Sequence, residues 1–343
     1  VSADLPGLDL AALSGFLGDE VLGTLAGPLR ASLVTGGRSN LTYLLTDGVQ
    51  RWVLRRPPLG HVLQTAHDMG REYRVLAALH PTDVPVPRPV VLAPPEILGA
   101  PFYVMEFADG EIYRTEQQLN ELSGARADAL ADGLVDTLAR LHGVDVQAVG
   151  LADLGRPDGY LERQLRRWGK QLEASHTRDL PALDQLGAEL ARDVPVPQRA
   201  SLVHGDYRLD NVVVDPASGA VRAILDWEMA TLGDPLADLA STVVWWDGIV
   251  GLDSPVAAVP GEVAAFPGRE RLVQRYAERS GLELSRLSWY EAFAFYKIAA
   301  IFEGIHYRHV QGLTVGEGFD RLGTSVPALA ERGRAALAQG AVA

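Results

Sequence analysis

Strand-like alternation of apolar and polar residues dominates the early part of the chain, and helical spacing takes over later. Ser32-Leu33-Val34, Leu41-Thr42-Tyr43-Leu44-Leu45 and Arg51-Trp52-Val53-Leu54 read as successive strands, separated by Thr35-Gly36-Gly37-Arg38-Ser39-Asn40 and by Asp47-Gly48. A small antiparallel sheet follows from that spacing, and Pro57-Pro58 end its third strand. From Asp68 to Leu79 the period becomes helical, with Tyr73, Leu76, Ala77 and Leu79 or His80 on the predicted inward side. The proline-rich 85–89 is an extended connector, after which 90–92 and 101–107 read as two more strands. Ala108-Asp109-Gly110 then reads as a hinge.

Beyond the hinge the chain is mainly helical. Arg126 to His142 carries Leu130, Leu134, Leu138 and Leu141 as one stripe, and Gly143 is expected to close that helix with His142 at its negative end. Tyr160 to Leu172 is predicted as a second helix, on which Arg163, Arg166, Arg167 and Lys170 recur at three- and four-residue spacing. A helix around Trp289 to Phe302 follows, and an Ala-rich helix is predicted from Ala328, just after Pro327.

One stretch breaks this pattern. Leu202-Val203-His204-Gly205-Asp206-Tyr207-Arg208-Leu209-Asp210-Asn211 packs His204, Asp206 and Asn211 behind a short apolar run. On a tight loop the Asp206 carboxylate can take a proton from a hydroxyl while the Asn211 amide oxygen, five positions on, holds a metal ion, an arrangement used in protein-kinase catalytic loops. Val212-Val213-Val214, a turn at 215–219 and Ala223-Ile224-Leu225-Asp226-Trp227-Glu228 form a predicted hairpin that returns Asp226 beside Asn211, the pair holding Mg²⁺.

The two blocks, His-Gly-Asp-x-x-x-x-Asn and then Ile-Leu-Asp-Trp-Glu-x-Ala-x-x-Gly-Asp-Pro-x-x-Asp-Leu-Ala, resemble the aminoglycoside phosphotransferase and choline kinase superfamily. Within it the chain looks most similar to the phosphotransferase domains related to those fused to some acyl-CoA dehydrogenases. The resemblance implies an α+β, bilobal, protein-kinase-like fold: a small antiparallel-sheet N-lobe over 1–106 and a larger, mainly helical C-lobe over 107–343. It implies ATP and Mg²⁺ as cofactors and transfer of the γ-phosphoryl group to a small-molecule hydroxyl, with Asp206 as the catalytic residue. Gly36 and Gly37 would lay backbone N–H groups over the phosphates, with Ser39 adding a hydroxyl. Arg55 stands where a kinase has the phosphate-binding lysine, with Glu72 as its ion-pair partner, and its planar fork departs from that pattern. Strand alternation favours Arg55 over Arg56. The backbone at Glu106 and Phe107 would pair with an adenine edge. Asp234 is expected to cap a helix and Asp238 to brace the catalytic loop, with His204 supporting it.

Composition narrows the partners. The 343 residues are 47% hydrophobic and 22% charged, ample for two lobes, and no cysteine is present for a disulfide, a thiolate metal site or a cysteine nucleophile. A net charge of −13 argues against nucleic-acid binding. No long apolar run suggests a membrane span, and the cytoplasm is the expected compartment. Residues 1–106 carry a net −2 and the remainder −11, which favours a cationic acceptor such as an aminoglycoside or a choline-like amine. Arg163, Arg166 and Arg167, concentrated on one helix, favour an anionic hydroxy compound such as a hydroxyacyl-CoA, and this local cluster is preferred over the diffuse excess. A nucleotide-binding pseudokinase is the reading from another class. Arg55 keeps it open and intact Asp206, Asn211 and Asp226 oppose it.

Overall fold

A computed structural model describes residues 5–34, 40–59, 68–175, 177–252, 258–313 and 319–340. In chain order the principal elements are α1 (Leu10–Gly15), β1 (Arg30–Leu33), β2 (Leu41–Thr46), β3 (Arg51–Arg56), α2 (Met69–Leu79), β4 (Pro89–Ala93), α3 (Pro95–Leu98) and β5 (Phe102–Glu106). They continue with α4 (Glu116–Asn120), α5 (Gly124–His142), α6 (Tyr160–Ala174), α7 (Pro181–Arg192), β6 (Ser201–Val203), β7 (Val212–Val214), β8 (Val221–Ile224) and β9 (Thr231–Gly233). The chain ends in α8 (Pro235–Val243), α9 (Arg269–Ser280), α10 (Leu287–Val310) and α11 (Phe319–Gly340). These form two compact units, Val1–Gly110 with Arg222–Ala230, and Glu111–Val221 with Thr231–Ala343. The expected division after Glu106 falls just before this one, and 222–230, expected in the second lobe, groups with the first unit.

The first unit is a five-stranded antiparallel sheet of order β1-β2-β3-β5-β4. Period-two alternation sets its register: Tyr43 opposes Leu54 and Leu54 opposes Val104, so these apolar residues of three strands share one buried face. Leu13 and Leu17 cover that face with Trp52, Phe102 and Leu45. Asp68 caps α2 by accepting from the Arg71 N–H at 3.0 Å. The buried side of α2 is Met69, Glu72, Val75, Leu76 and Leu79, whereas the sequence placed Tyr73 and Ala77 there. The helix is turned by the partners that Glu72 finds inside the unit, a polar preference that hydrophobic spacing does not register.

The second unit is built around α10, whose buried residues run from Leu287 to Gly304. An element buried nearly all round needs partners on several sides, and α6, α7, α8 and α11 supply them. Pro327 lies inside α11 rather than before it. A mid-helix proline removes one hydrogen bond at a cost of about 3 kcal/mol, and the fully buried Val326, Leu329 and Ala330 around it offset that cost through packing. β6 and β9 pair antiparallel, Leu202 opposite Leu232, and the loop that follows β6 carries the polar block.

Candidate active site

In the first unit, Arg55 sits on β3 between Thr42 of β2 and Tyr103 of β5 and is 8% exposed. Its Nε lies 3.4 Å from Glu72 Oε2, and an Nη lies 2.8 Å from Asp226 Oδ1. The Tyr103 hydroxyl donates to Glu72 Oε2 at 2.9 Å, and Asn40 Nδ2 donates to Glu72 Oε1 at 3.2 Å and to Glu228 Oε2 at 3.3 Å. Arg56, on the opposite face, donates to the backbone carbonyls of Gly7 and Leu98. Burial works against the Arg55 charge, but Tyr103, Asp226 and Glu72 outweigh it and hold the guanidinium protonated. Burial raises the Glu72 carboxyl above the ordinary range, with Arg55 pulling the other way.

Asp226 follows β8, which is tied to the same unit by the Ile224 N–H bond to Pro85 O at 2.8 Å. It begins the 3₁₀ turn Trp227–Met229 with φ 64° and ψ 66° and, among the described residues, is the only non-glycine at positive φ. The turn is pinned by the buried Trp227, whose Nε1 donates to Ile224 O at 3.1 Å. Backbone in this region clusters at functional sites, which makes the end of β8 a candidate position.

In the second unit the chain leaves β6 through Gly205 at φ 85°, a left-handed turn that glycine makes without steric cost. Asp238, from the first turn of α8, accepts the N–H groups of His204 and, at 2.9 Å, Gly205, so it braces this loop as expected. Its Oδ2 is also 3.4 Å from His142 Nε2, and His142 Nδ1 is 2.6 Å from the Tyr276 hydroxyl. Burial pushes the Asp238 carboxyl up, but its hydrogen bonds to His142 and Gly205 outweigh that and leave it below the ordinary range. Asp234 caps α8 by accepting from the Leu236 N–H at 3.0 Å, with Tyr290 donating to its other oxygen at 2.7 Å.

The Asp206 N–H donates to His204 Nδ1 at 3.2 Å, which makes the fully buried His204 a support for the loop. Leu209–Asn211 forms one 3₁₀ turn that folds Asn211 back over the loop. Asn211 Nδ2 donates to the Asp206 carbonyl at 2.9 Å and to Asp206 Oδ2 at 3.0 Å. Both bonds use Nδ2, so the Oδ1 acceptor takes no part in them. Arg208 Nε is 3.4 Å from Asp206 Oδ2, and an Nη is 2.9 Å from Asp210 Oδ2. Its guanidinium carbon lies 4.6 Å from the Trp245 ring centroid, over the π-helical turn Val244–Gly248 that continues α8.

The structure thus gathers Arg55, Glu72 and Asp226 in the first unit, and Asp206 and Asn211 in the second. Gly36, Gly37 and Ser39 lie outside the described residues. Glu106 and Phe107 already use their N–H groups, on Arg88 O at 2.8 Å and Arg51 O at 3.2 Å, so adenine pairing cannot run through those two donors without breaking sheet contacts. The Glu106 side chain pairs with Arg88. Arg163 folds back onto the carbonyls of Arg156 and Asp158, while Arg166 and Arg167 are exposed and Arg167 lies 5.1 Å from the Trp168 ring.

Sequence reasoning missed Lys297, whose Nζ donates to the Gly205 carbonyl. The available signal was a lone cation among apolar residues in a chain with only one other lysine, Lys170. It also missed the chain from Asp238 through His142 to Tyr276, which spans elements far apart in sequence. Among the described residues no cluster of three or more His, Cys, Asp or Glu could hold a metal, and no helix is long and apolar enough to cross a membrane.

The phosphotransferase enzyme family matches residues 30–288. Acyl-CoA dehydrogenase family member 11 of Rattus norvegicus is 35% identical over 334 residues, covering 95% of this chain but 43% of that protein. The chain thus spans less than half the length of that relative. A provisionally named aminoglycoside phosphotransferase of known structure from Ralstonia eutropha is 34% identical, covers 96% of this chain and 98% of its own, and superposes with a TM-score of 0.83. Choline kinase from Cryptosporidium parvum shares the fold at a TM-score of 0.69 and 12% identity, with 97% of each chain covered.

Proposed function

For a chain that belongs to the phosphotransferase enzyme family, we propose the transfer of the ATP γ-phosphoryl group to a hydroxyl of a small molecule, with Asp206 as the group that orients the hydroxyl and takes its proton. The observation that carries this reading is the coupling of Asn211 Nδ2 to both the carbonyl and the carboxylate of Asp206, at 2.9 and 3.0 Å. It fixes the carboxylate on a braced loop and leaves Asn211 Oδ1 out of both bonds. An amide oxygen and the carboxylate of Asp226 are hard oxygen donors, which fit Mg²⁺, an ion that takes few protein ligands and completes its shell with phosphates and water. In the first unit two carboxylates, Glu72 and Asp226, face the single guanidinium of Arg55, leaving negative charge for a cation to balance. Bound Mg²⁺ supplies neutralisation of the phosphate oxygens.

The remaining work falls to the chain's own residues. The Asp238 carboxylate and His204 hold the backbone on either side of Gly205, so that Asp206 meets the hydroxyl in one orientation. Arg55, held charged by Glu72 and Asp226, is the group of the first unit assigned to phosphate oxygens. For the acceptor, a CoA-linked or other anionic hydroxy compound is favoured over an aminoglycoside or choline-like amine. Similarity to a protein named for acyl-CoA dehydrogenation supports it, as do Arg167 and Arg208, whose charges act on Lys297, the lysine that donates to the Gly205 carbonyl next to Asp206.

Calorimetry with ATP, with and without Mg²⁺, tests the nucleotide, and the absence of binding at about millimolar ATP, the upper range of ordinary substrate constants, would sink the reading. ATP consumption across panels of hydroxyacyl-CoA and kanamycin-type compounds tests the acceptor. Activity confined to the aminoglycosides and unaffected by Arg166→Glu and Arg167→Glu would reverse the preference. A pseudokinase would bind nucleotide and consume none.

A further inference from the structure

Lys297 lies in the middle of α10, in the run Phe293-Ala294-Phe295-Tyr296-Lys297-Ile298-Ala299-Ala300, whose other members are buried. Its Nζ donates to the carbonyl of Gly205, the residue before Asp206, and stands 6.0 Å from the centroid of the Trp168 ring. An ammonium carries three donors, and among the described residues no carboxylate lies within ion-pair distance of this one. The nearby acids are otherwise engaged: Asp206 with Arg208, Asp210 with Arg208 and Asp238 with His142. Burial pulls the Lys297 ammonium below its ordinary range, with the charges of Asp206 and Asp238 resisting. A partly buried cation without a paired anion lowers stability unless the working state supplies an anion.

We propose that Lys297 is a second catalytic residue of this site, donating to the non-bridging oxygens of the phosphoryl group as it arrives on the acceptor oxygen beside Asp206. The inference rests on the phosphotransfer reading above. In that step the acceptor oxygen forms a bond to the γ-phosphorus, the bond from that phosphorus to the β,γ-bridging oxygen breaks, and ADP leaves. The hydroxyl proton passes to Asp206. Any group beside the Asp206 carboxylate therefore lies beside the newly formed phosphate ester. Arg208 is also close, but its charge is shared between Asp206 and Asp210 and its face rests on Trp245. Lys297, unlike Arg208, is not matched in an ion pair and, unlike the exposed Arg167, donates to the backbone next to Asp206.

A structural role, bracing the left-handed turn at Gly205, is the competing account and needs only a hydrogen-bond donor. Hydrolysis of ATP by the full chain with Mg²⁺, water serving as acceptor, separates the two and needs no identified acceptor. Wild type, Lys297→Met, Lys297→Arg and Lys297→Gln would be compared for kcat, KM for ATP and inhibition by inorganic phosphate. Loss of the ammonium in Lys297→Met should lower kcat by about 10²–10³-fold, the scale of one lost transition-state donor, with KM for ATP little changed. The phosphate inhibition constant should rise by about tenfold, and Lys297→Arg, which keeps the charge, should recover most of that affinity. An unchanged phosphate constant in Lys297→Met overturns the proposal even if kcat falls, because Lys297 would then serve only Gly205. Should Lys297→Met fail to fold, Lys297→Gln decides, since wild-type phosphate inhibition with a neutral donor also overturns it. A wild-type chain that neither binds nor consumes ATP overturns the phosphotransfer reading and this inference with it.

Discussion

Asp226 accepts from Arg55 at 2.8 Å while its own backbone stands at φ 64°, a conformation that L-residues seldom adopt. Such a position costs on the order of 1–3 kcal/mol. The ion pair and the pinned Trp227 maintain it, so the carboxylate is aimed at the expense of local stability.

Asp226→Asn tests that aim. Asparagine tolerates the left-handed region, so the melting temperature should change little. Mg²⁺-dependent ATP affinity should fall by at least about tenfold, the scale lost even when an outer-shell group of a metal site is removed. Calorimetry with and without Mg²⁺ measures this, and equal affinity in both proteins would remove Asp226 from the metal site.

Arg55→Met leaves Glu72, which is 1% exposed, without its cation. Breaking a buried pair from one side typically costs about 3–5 kcal/mol. The expected result is a lower urea midpoint at unchanged slope. A loss below about 1 kcal/mol, the scale of a surface pair, would show that Tyr103 and Asn40 suffice to hold Glu72.

Asp206→Asn should keep nucleotide affinity near wild type and reduce turnover by about 10²–10⁴-fold, the contribution of a general base. Parallel ATP binding and ATP consumption assays read the two separately. Loss of binding with turnover per bound nucleotide retained would reverse the roles given to Asp206 and Asp226.

Asp238 predicts an acid limb in stability. Its carboxyl is held below the ordinary value of 3.8 in the folded chain. Because the folded value is depressed, its contribution is present above 3.8 and is lost as pH falls through that value towards the lower one. Urea unfolding from about pH 5 downward should show a declining stability in the wild type. Asp238→Asn should be less stable at neutral pH and decline less steeply. Parallel declines would show that other carboxylates set the acid limb.

The local geometry of the polar loop was legible from spacing and from the family resemblance together, because its parts are close in sequence. Gly205, Asp206 and Asn211 act within one loop, and a five-residue separation on a 3₁₀ turn brings the Asn211 amide to the Asp206 carboxylate. Asp234 was legible for the same reason, since a cap acts on N–H groups two residues away. Arg55 could be preferred over Arg56 because strand alternation is strict, and Arg56 does turn to the opposite face to bind the Gly7 and Leu98 carbonyls. The inward face of α2 was misread because Ala77 fits a hydrophobic stripe and Glu72 does not. Burial of Glu72 follows from Arg55, Tyr103 and Asn40, which lie on other strands and turns.

The sequence by itself determined the order of strands and helices, the register-setting alternation of the sheet and the polar loop at 204–211, since each depends on residues within a turn or two of one another. Only the tertiary structure decided which ionisable groups meet. Asp238 reaches His142 from the start of α8, Lys297 reaches Gly205 from the middle of α10, and Asp226 joins Arg55 across about half of the chain. Each meeting depends on how whole elements pack, and helix and strand periods specify which face is apolar without specifying which distant face it will contact.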